Sequence, residues 1–303
     1  MDTIVRCLLE KGRARVVAVI TSDTVREIAH RHGVLGKAAV ALGRAVSAGL
    51  MLATLTKDDE QVTLQVLGEG PFGGVTVDAR SSGKVRAYLK HPRAMPWNGE
   101  GVGIRLSLAD GMGSQGLVNV IRDLGMSKNF AGQTRMVSGE IDQDVEAYLQ
   151  SSEQIDSVLR CDCLVDGEGL VTASGGLLVQ TLPQADGTAL VEFIRQTMDC
   201  ERLSQVLRDA TLAEAVDLAR AMLAPLGDEL DVLETRPVSF ACPCSRERAS
   251  KTLEMLHEED LQALILEDNQ AQVTCNFCGQ RYVFSEGELE IIRRKRTPPQ
   301  PAS

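Results

Sequence analysis

Eight cysteines occur in 303 residues, and four of them form two close pairs, Cys242-Pro243-Cys244 and Cys275-Asn276-Phe277-Cys278. Two such pairs about thirty residues apart can fold back and place four sulfurs around one Zn2+ in tetrahedral geometry. Gly279 follows the second pair and can turn a knuckle, with Gln280–Phe284 returning as a strand. Metal binding deprotonates thiols, and the thiolate is the form that reacts with peroxide or hypochlorous acid. A disulfide closes easily between Cys275 and Cys278. Between Cys242 and Cys244 it is harder, because Cα atoms two apart in an extended chain lie about 6.5–7 Å from each other, the edge of the usual range. Oxidation would therefore require backbone change and would expel the metal. Residues of this kind can form a switch whose oxidised form is partly unfolded. They can equally form a plain structural zinc site, or a thiol–disulfide oxidoreductase working through Cys275 and Cys278.

The other chemistry-bearing residues do not assemble into a catalytic set. Neither a G-x-S-x-G elbow nor a G-x-x-x-x-G-K-S/T loop occurs. His30 and His32 are two apart in a predicted helix and diverge, and His257 is read as a solvated helix-end residue. A closed four-cysteine site leaves no position for a reactive water. Cys161 and Cys163 lie on one predicted strand, where both side chains face the same way, and are read as small buried residues. Cys7 and Cys200 receive no role. No catalytic or cofactor-binding residue is assigned beyond the zinc ligands, and the chain is not read as an enzyme.

These residues must be positioned by a mixed scaffold. Arg13–Ile20 reads as a strand and Asp23–His32 as a helix capped by Ser22. Val34–Thr56 is apolar enough to resemble a membrane span, but Arg44 at its centre would cost about 2.5–3.5 kcal/mol in lipid. Gly36, Gly43 and Ser47 at helical spacings suit a buried core helix instead. From Gln61 to Gln180 short β-rich runs dominate, with strands expected at Thr63–Leu67, Gly74–Asp78, Lys84–Tyr88 and Gly103–Leu108. Two G-x-G-x-x-G copies, at Gly68 and Gly111, are each followed by a strand rather than a helix, so they read as duplicated turns and not as a dinucleotide site. Gly139–Gln154 reads as a helix, then Leu159–Val165 and Leu170–Leu182 as strands.

Beyond Pro183 the pattern becomes helical, with Thr211–Glu214 as a capping box and Arg236-Pro237 as a hinge. Ser245 caps one helix of the cysteine module and Ser285–Glu288 boxes its last helix. The fold class that results is α+β. A β-rich N-terminal domain with packed helices (1–183) precedes a helical linker (184–237), a small four-cysteine zinc module (238–296) and a disordered tail (297–303). A module of about 55 residues needs a staple, which zinc would supply. The net charge of −10 and 3% aromatic content argue against nucleic-acid binding, and Arg293–Arg296 reads as a solvated helix end. A cytoplasmic protein with reduced thiols and no membrane contact is expected.

The chain resembles the 33 kDa chaperonin family of redox-regulated bacterial heat-shock holdases. The resemblance spans essentially the whole chain and rests on Cys242-x-Cys244-Ser-Arg-Glu-Arg248 with Cys275-x-x-Cys278 and Tyr282-Val-Phe284. Gly83–Tyr88, Tyr148–Gln154 and Gly175–Gln180 support it. It implies one Zn2+ per chain held by Cys242, Cys244, Cys275 and Cys278 in a reduced, inactive monomer. It further implies that oxidation forms Cys242–Cys244 and Cys275–Cys278 disulfides, releases zinc and unfolds the linker and module. The active form would be a homodimer that holds unfolding client proteins without ATP. Pro243 stiffens the first pair, and Cys161/Cys163 fall outside the family's switch.

Overall fold

A computed structural model describes residues 1–9, 14–56, 60–123, 130–182, 188–227 and 229–296. The expected tail, 297–303, and the expected boundary at Pro183 lie outside the described residues. The chain divides into two compact units, Met1–Ala241 and Cys242–Ser303.

The first unit runs β1 (Thr3–Leu9), β2 (Ala14–Ile20), α1 (Ser22–His32), α2 (Lys37–Ala53), β3 (Gln61–Gly68), β4 (Val75–Arg80) and β5 (Lys84–Leu89). It continues through α3 (Ala109–Met112), β6 (Gly116–Asp123), β7 (Phe130–Arg135), α4 (Ile141–Ser152), β8 (Ser157–Val165) and β9 (Val171–Thr181). Then come α5 (Thr188–Thr197), α6 (Cys200–Asp209), α7 (Ala215–Leu223), β10 (Leu230–Pro237) and β11 (Ser239–Phe240). One sheet has the antiparallel order β10-β1-β2-β9-β8, and the other has the order β11-β5-β4-β3-β6-β7 with only β11 parallel to its neighbour.

The apolar run predicted to be a core helix is one. Every residue of α2 from Ala38 to Ala53 is buried, and the helix packs against both sheets. Its glycines permit that closeness: a Cβ on Gly43 would sit 2.6 Å from the Cys163 Sγ, and one on Gly49 would sit 2.8 Å from Val77 Cγ1. The main core surrounds α2, while the opposite face of the five-stranded sheet is covered by α5–α7 through Leu203, Leu207, Leu218 and Met222. The short helices beyond the sheets therefore borrow a core from the sheet they cover. The first glycine-rich copy is a turn, as expected, whereas the second opens in the last residues of α3 before leading into β6; the two pair with each other, Gly70 N–H donating to Met112 O at 3.0 Å and Phe72 N–H to Gly111 O at 2.9 Å.

Four local expectations are corrected. Gly103–Leu108 is not a strand; Gly103 N–H donates to Val165 O at 3.1 Å, and the Arg105 guanidinium reaches Cys161 O at 2.8 Å along the free edge of β8. A side chain there does what a ladder would have done. Ser22 does not cap α1; Asp2, across the fold, accepts from Asp23 N–H at 3.1 Å and Thr24 N–H at 2.6 Å. The capping box of α7 is Glu214 with Asp217 rather than Thr211 with Glu214. Residues beyond Pro183 are not wholly helical, because Leu230–Pro237, which includes the expected hinge Arg236-Pro237, is an edge strand on β1. Its partner lies at the far end of the sequence, so no local pattern announces it.

The second unit comprises α8 (Arg246–Glu254), α9 (Glu258–Ala263), the hairpin β12 (Gln270–Thr274) and β13 (Arg281–Ser285), and α10 (Glu286–Arg296). Its small core is Ala249, Leu253, Leu261, Ile265, Phe284 and Leu289 with their neighbours.

Candidate metal and redox centre

Cys244 and the Cys275–Cys278 pair are placed by local devices that the sequence makes legible. Cys244 stands directly before Ser245, whose hydroxyl caps α8 by accepting Arg248 N–H at 3.2 Å. Cys275 directly follows β12, and the knuckle closes through Cys275 N–H to Gln280 O and Gly279 N–H to Cys275 O, both 2.9 Å. Gly279 turns it at φ +71°, a conformation costly to a residue with a Cβ. The strand expected at 280–284 is β13.

All four sulfurs lie within 4.8 Å of one another, the only such cluster of potential metal ligands among the described residues. The Cys242 and Cys275 sulfurs are 3.7 Å apart and those of Cys244 and Cys278 are 3.3 Å apart, so these close approaches run between the sequence pairs. Burial pushes the Cys275 and Cys278 thiols above the ordinary thiol value; the three neighbouring sulfurs add to the rise at Cys278, while at Cys275 the Cys242 sulfur adds to it and the Cys278 sulfur opposes it. Four thiols this close resist ionising together unless a cation stands among them. The donor set and its spacing therefore fit a thiophilic divalent ion in a closed, all-sulfur site. Tyr282 donates from its hydroxyl to the Cys244 sulfur at 3.2 Å, and this bond holds the phenol up to about 12.

The Ser-Arg-Glu-Arg segment carries a residue to which the sequence assigned no task, Arg246. Its guanidinium stacks on Phe284 at 4.4 Å and donates to Val283 O at 2.7 Å and to Glu288 at 2.6 Å. It thus joins the helix after the first cysteine pair to the strand and helix after the second. Glu288 accepts from Ser285 N–H at 2.9 Å as its capping-box role requires, and this bond with Arg246 holds its carboxyl down at about 2. The available signal was the position of Arg246 one residue past a cap and two past a ligand. His257 precedes α9 and does not belong to the cysteine cluster.

In the first unit Cys161 and Cys163 are fully buried on one face of β8, as expected, and burial pushes the Cys163 thiol up to about 12. Cys7 is also buried. Cys200, given no role from the sequence, bonds to Asp142 at 3.4 Å at the margin of a cavity of about 640 Å3. Beneath it lies an unforeseen ionic cluster. Arg44, with no exposed side-chain surface, binds Asp162 at 2.9 Å and Glu140 at 2.6 Å, and Arg105 binds Asp142 at 2.8 Å.

Comparison with known proteins is consistent across methods. The family model described as Hsp33 protein matches residues 2–285. The 33 kDa chaperonin of Bacillus subtilis is 35% identical over 98% of this chain and 100% of its own length. That of Listeria monocytogenes is 35% identical over 96% of this chain and 98% of its own. Among solved structures, the crystal structure of the 33 kDa chaperonin (heat shock protein 33 homolog) from Thermotoga maritima superposes with a TM-score of 0.84. It is 29% identical, with 97% of this chain and 98% of that one covered.

Proposed function

This chain belongs to the Hsp33 protein family, and on that premise we propose that it is a redox-regulated, ATP-independent holdase. Members of the family are named chaperonins and not enzymes; the coarse function, a chaperone that binds unfolded client proteins, follows from membership. The finer reading rests on one observation above all: four half-buried cysteine sulfurs within 4.8 Å of one another, on a module with a small core.

In the reduced form Cys242, Cys244, Cys275 and Cys278 would hold one Zn2+. Bound there, zinc keeps the sulfurs as thiolates and ties both ends of the module together. Each pair then gives two electrons to a peroxide-type oxidant: two thiolates, two protons from solvent and one hydrogen peroxide yield one disulfide and two waters. Forming Cys242–Cys244 and Cys275–Cys278 removes all four ligands. The near sulfur neighbours lie across the pairs, so each disulfide draws a sulfur away from its neighbour, and closing Cys242–Cys244 calls for backbone change. The module (238–296) loses its staple and the linker (184–237) loosens from the sheet, uncovering apolar surface of which Val5, Val16, Leu177 and Val179 are part. Structural zinc contributes on the order of 10–16 kcal/mol, as large as the 5–15 kcal/mol stability of a whole domain. Its loss is therefore enough to unfold the region. A bacterial cytoplasm, reducing at rest and oxidising only under stress, is the setting this requires.

The test is light scattering from a thermally unfolding model client, with this protein added either zinc-loaded and reduced or peroxide-oxidised. Suppression by the oxidised form alone, with zinc appearing in a chromogenic chelator, is expected. Equal suppression by both forms would remove the switch, and suppression by neither would leave a structural zinc module. Turnover of small disulfide substrates would indicate an oxidoreductase instead.

A further inference from the structure

One continuous segment forms the outermost strand of both sheets. β10 is the edge of the five-stranded sheet on β1, and after Val238 the chain becomes β11, the edge of the other sheet on β5. Ala241 N–H then donates to Val85 O at 2.9 Å, and the next residue is Cys242. The middle of this strap is closely seated. Val238 N–H donates to Asp2 O at 2.9 Å, Ser239 N–H donates to Gly83 O at 3.1 Å, and a Cβ on Gly83 would approach Pro237 O to 2.0 Å.

The β10 half is held differently. Val232 is 46% exposed and Leu233 is 55% exposed, and the register slips between Arg6 and Cys7 so that Leu233 has no partner. What retains β10 is its main-chain ladder, with Leu230 against the apolar cluster, an Arg6–Glu234 ion pair at 3.7 Å and, toward its end, Arg236 donating to Ser81 O at 2.6 Å. The strand beneath it is the opposite: Ile4, Val5, Cys7 and Leu9 are at most 3% exposed and belong to the two cores of the first unit. Elements with little buried apolar surface open first, and those rooted in a core stay. Departure of β10 would leave Thr3–Leu9 with one unpaired edge, still held on its other side by the ladder to β2 and anchored through Ile4 in the core around α2, the kind of edge that templates pairing with another extended chain.

We propose that the β1 edge, vacated by β10 when the cysteine centre comes apart, is a client-docking strand. It takes an extended segment of an unfolded polypeptide as a new edge strand. The inference rests on the holdase reading above and names the chemistry of its client site. Main-chain hydrogen bonds supply the attraction, which needs no particular client sequence. β10 itself displays the fit: antiparallel pairing along the whole of Thr3–Leu9, with only Leu230 leaning on the apolar cluster. An occupant thus needs extended backbone and one apolar residue near an end, a requirement that many unrelated unfolding chains satisfy.

Hydrogen exchange on the full chain tests this in three states: zinc-loaded and reduced, oxidised, and oxidised with a reduced, carboxymethylated model polypeptide. Aggregation suppression is measured on the same samples. Oxidation should lower the protection of the peptide spanning Thr3–Leu9 by about tenfold or more while β2 and β9 keep theirs, and the client should restore it. An oxidised protein that suppresses aggregation with Thr3–Leu9 unchanged at either step overturns the docking strand and leaves the holdase standing. Absence of suppression overturns the holdase reading, and the docking strand with it. A variant, Val232→Pro, weakens the strap without touching the four-cysteine centre. It should suppress aggregation while zinc-loaded and reduced. If its Thr3–Leu9 amides are labile yet it stays silent, the proposal fails.

Discussion

At the scale of single residues, the most demanding group is a buried charge. Arg44 carries a guanidinium with no exposed surface, satisfied by Asp162, Glu140 and the Leu106 carbonyl at 2.6 to 3.0 Å. From the sequence, Arg44 registered only as a reason against a membrane span; its partners lie 96 and 118 positions away and no local rule selects them. Asp142, on the same cluster, is fully buried, and burial alone would raise its pKa. The guanidiniums of Arg105 and Arg44 outweigh that and hold it below the ordinary carboxylate value. A depressed carboxylate stabilises the fold above its unfolded pKa, about 3.9, and the contribution is lost as pH falls through the folded value. Asp142→Asn is therefore expected to destabilise the first unit by about 3–5 kcal/mol at pH 7, since it breaks a buried pair. The gap to wild type should begin to narrow below about pH 4, where the unfolded chain takes up its proton at Asp142, and go on narrowing as pH falls toward the depressed folded value. Denaturant unfolding at both pH values reads this, and a gap unchanged by pH would show that Asp142 is not the ionised partner.

At the scale of elements, the cysteine module shows how much local signals can carry. The Ser245 cap, the Glu288 reach-back to Ser285, the Gly279 turn and the returning strand all stand where residue type and spacing put them. Each satisfies backbone groups within a few residues, so sequence suffices. The failures share the converse cause. Gly103–Leu108 alternates like a strand but meets the β8 edge with a guanidinium, and Leu230–Pro237 finds a partner only once β1 is beside it. The module's core is small for some sixty residues, and such units lean on a metal. Adding a strong chelator under reducing conditions should abolish hydrogen-exchange protection across Arg246–Arg296 while α2 keeps its own. Retained protection in α8 and β13 would mean the apolar core alone holds the module and the metal is dispensable.

At the scale of the whole molecule, the helices beyond the strands have no core of their own, and α5–α7 cover an apolar sheet face. Uncovering that face should favour self-association, so the oxidised protein is expected to sediment at twice the mass of the reduced one, with dissociation on dilution. A monomer at all concentrations, still active against aggregation, would confine the uncovered surface to client binding. No helix among the described residues is long and apolar enough to cross a membrane, and the most apolar one, α2, is accounted for by two sheets closing on it at Gly43 and Gly49. By itself the sequence determined the mixed α+β class, the four clustered sulfurs, the caps around them and the family, because each is written in residues near one another or in spacings that a short turn enforces. Only the tertiary structure decided which strand lies outermost in each sheet, what caps α1, and which carboxylates neutralise Arg44. Those choices join residues far apart in the chain, and their energies exist only after the layers have packed.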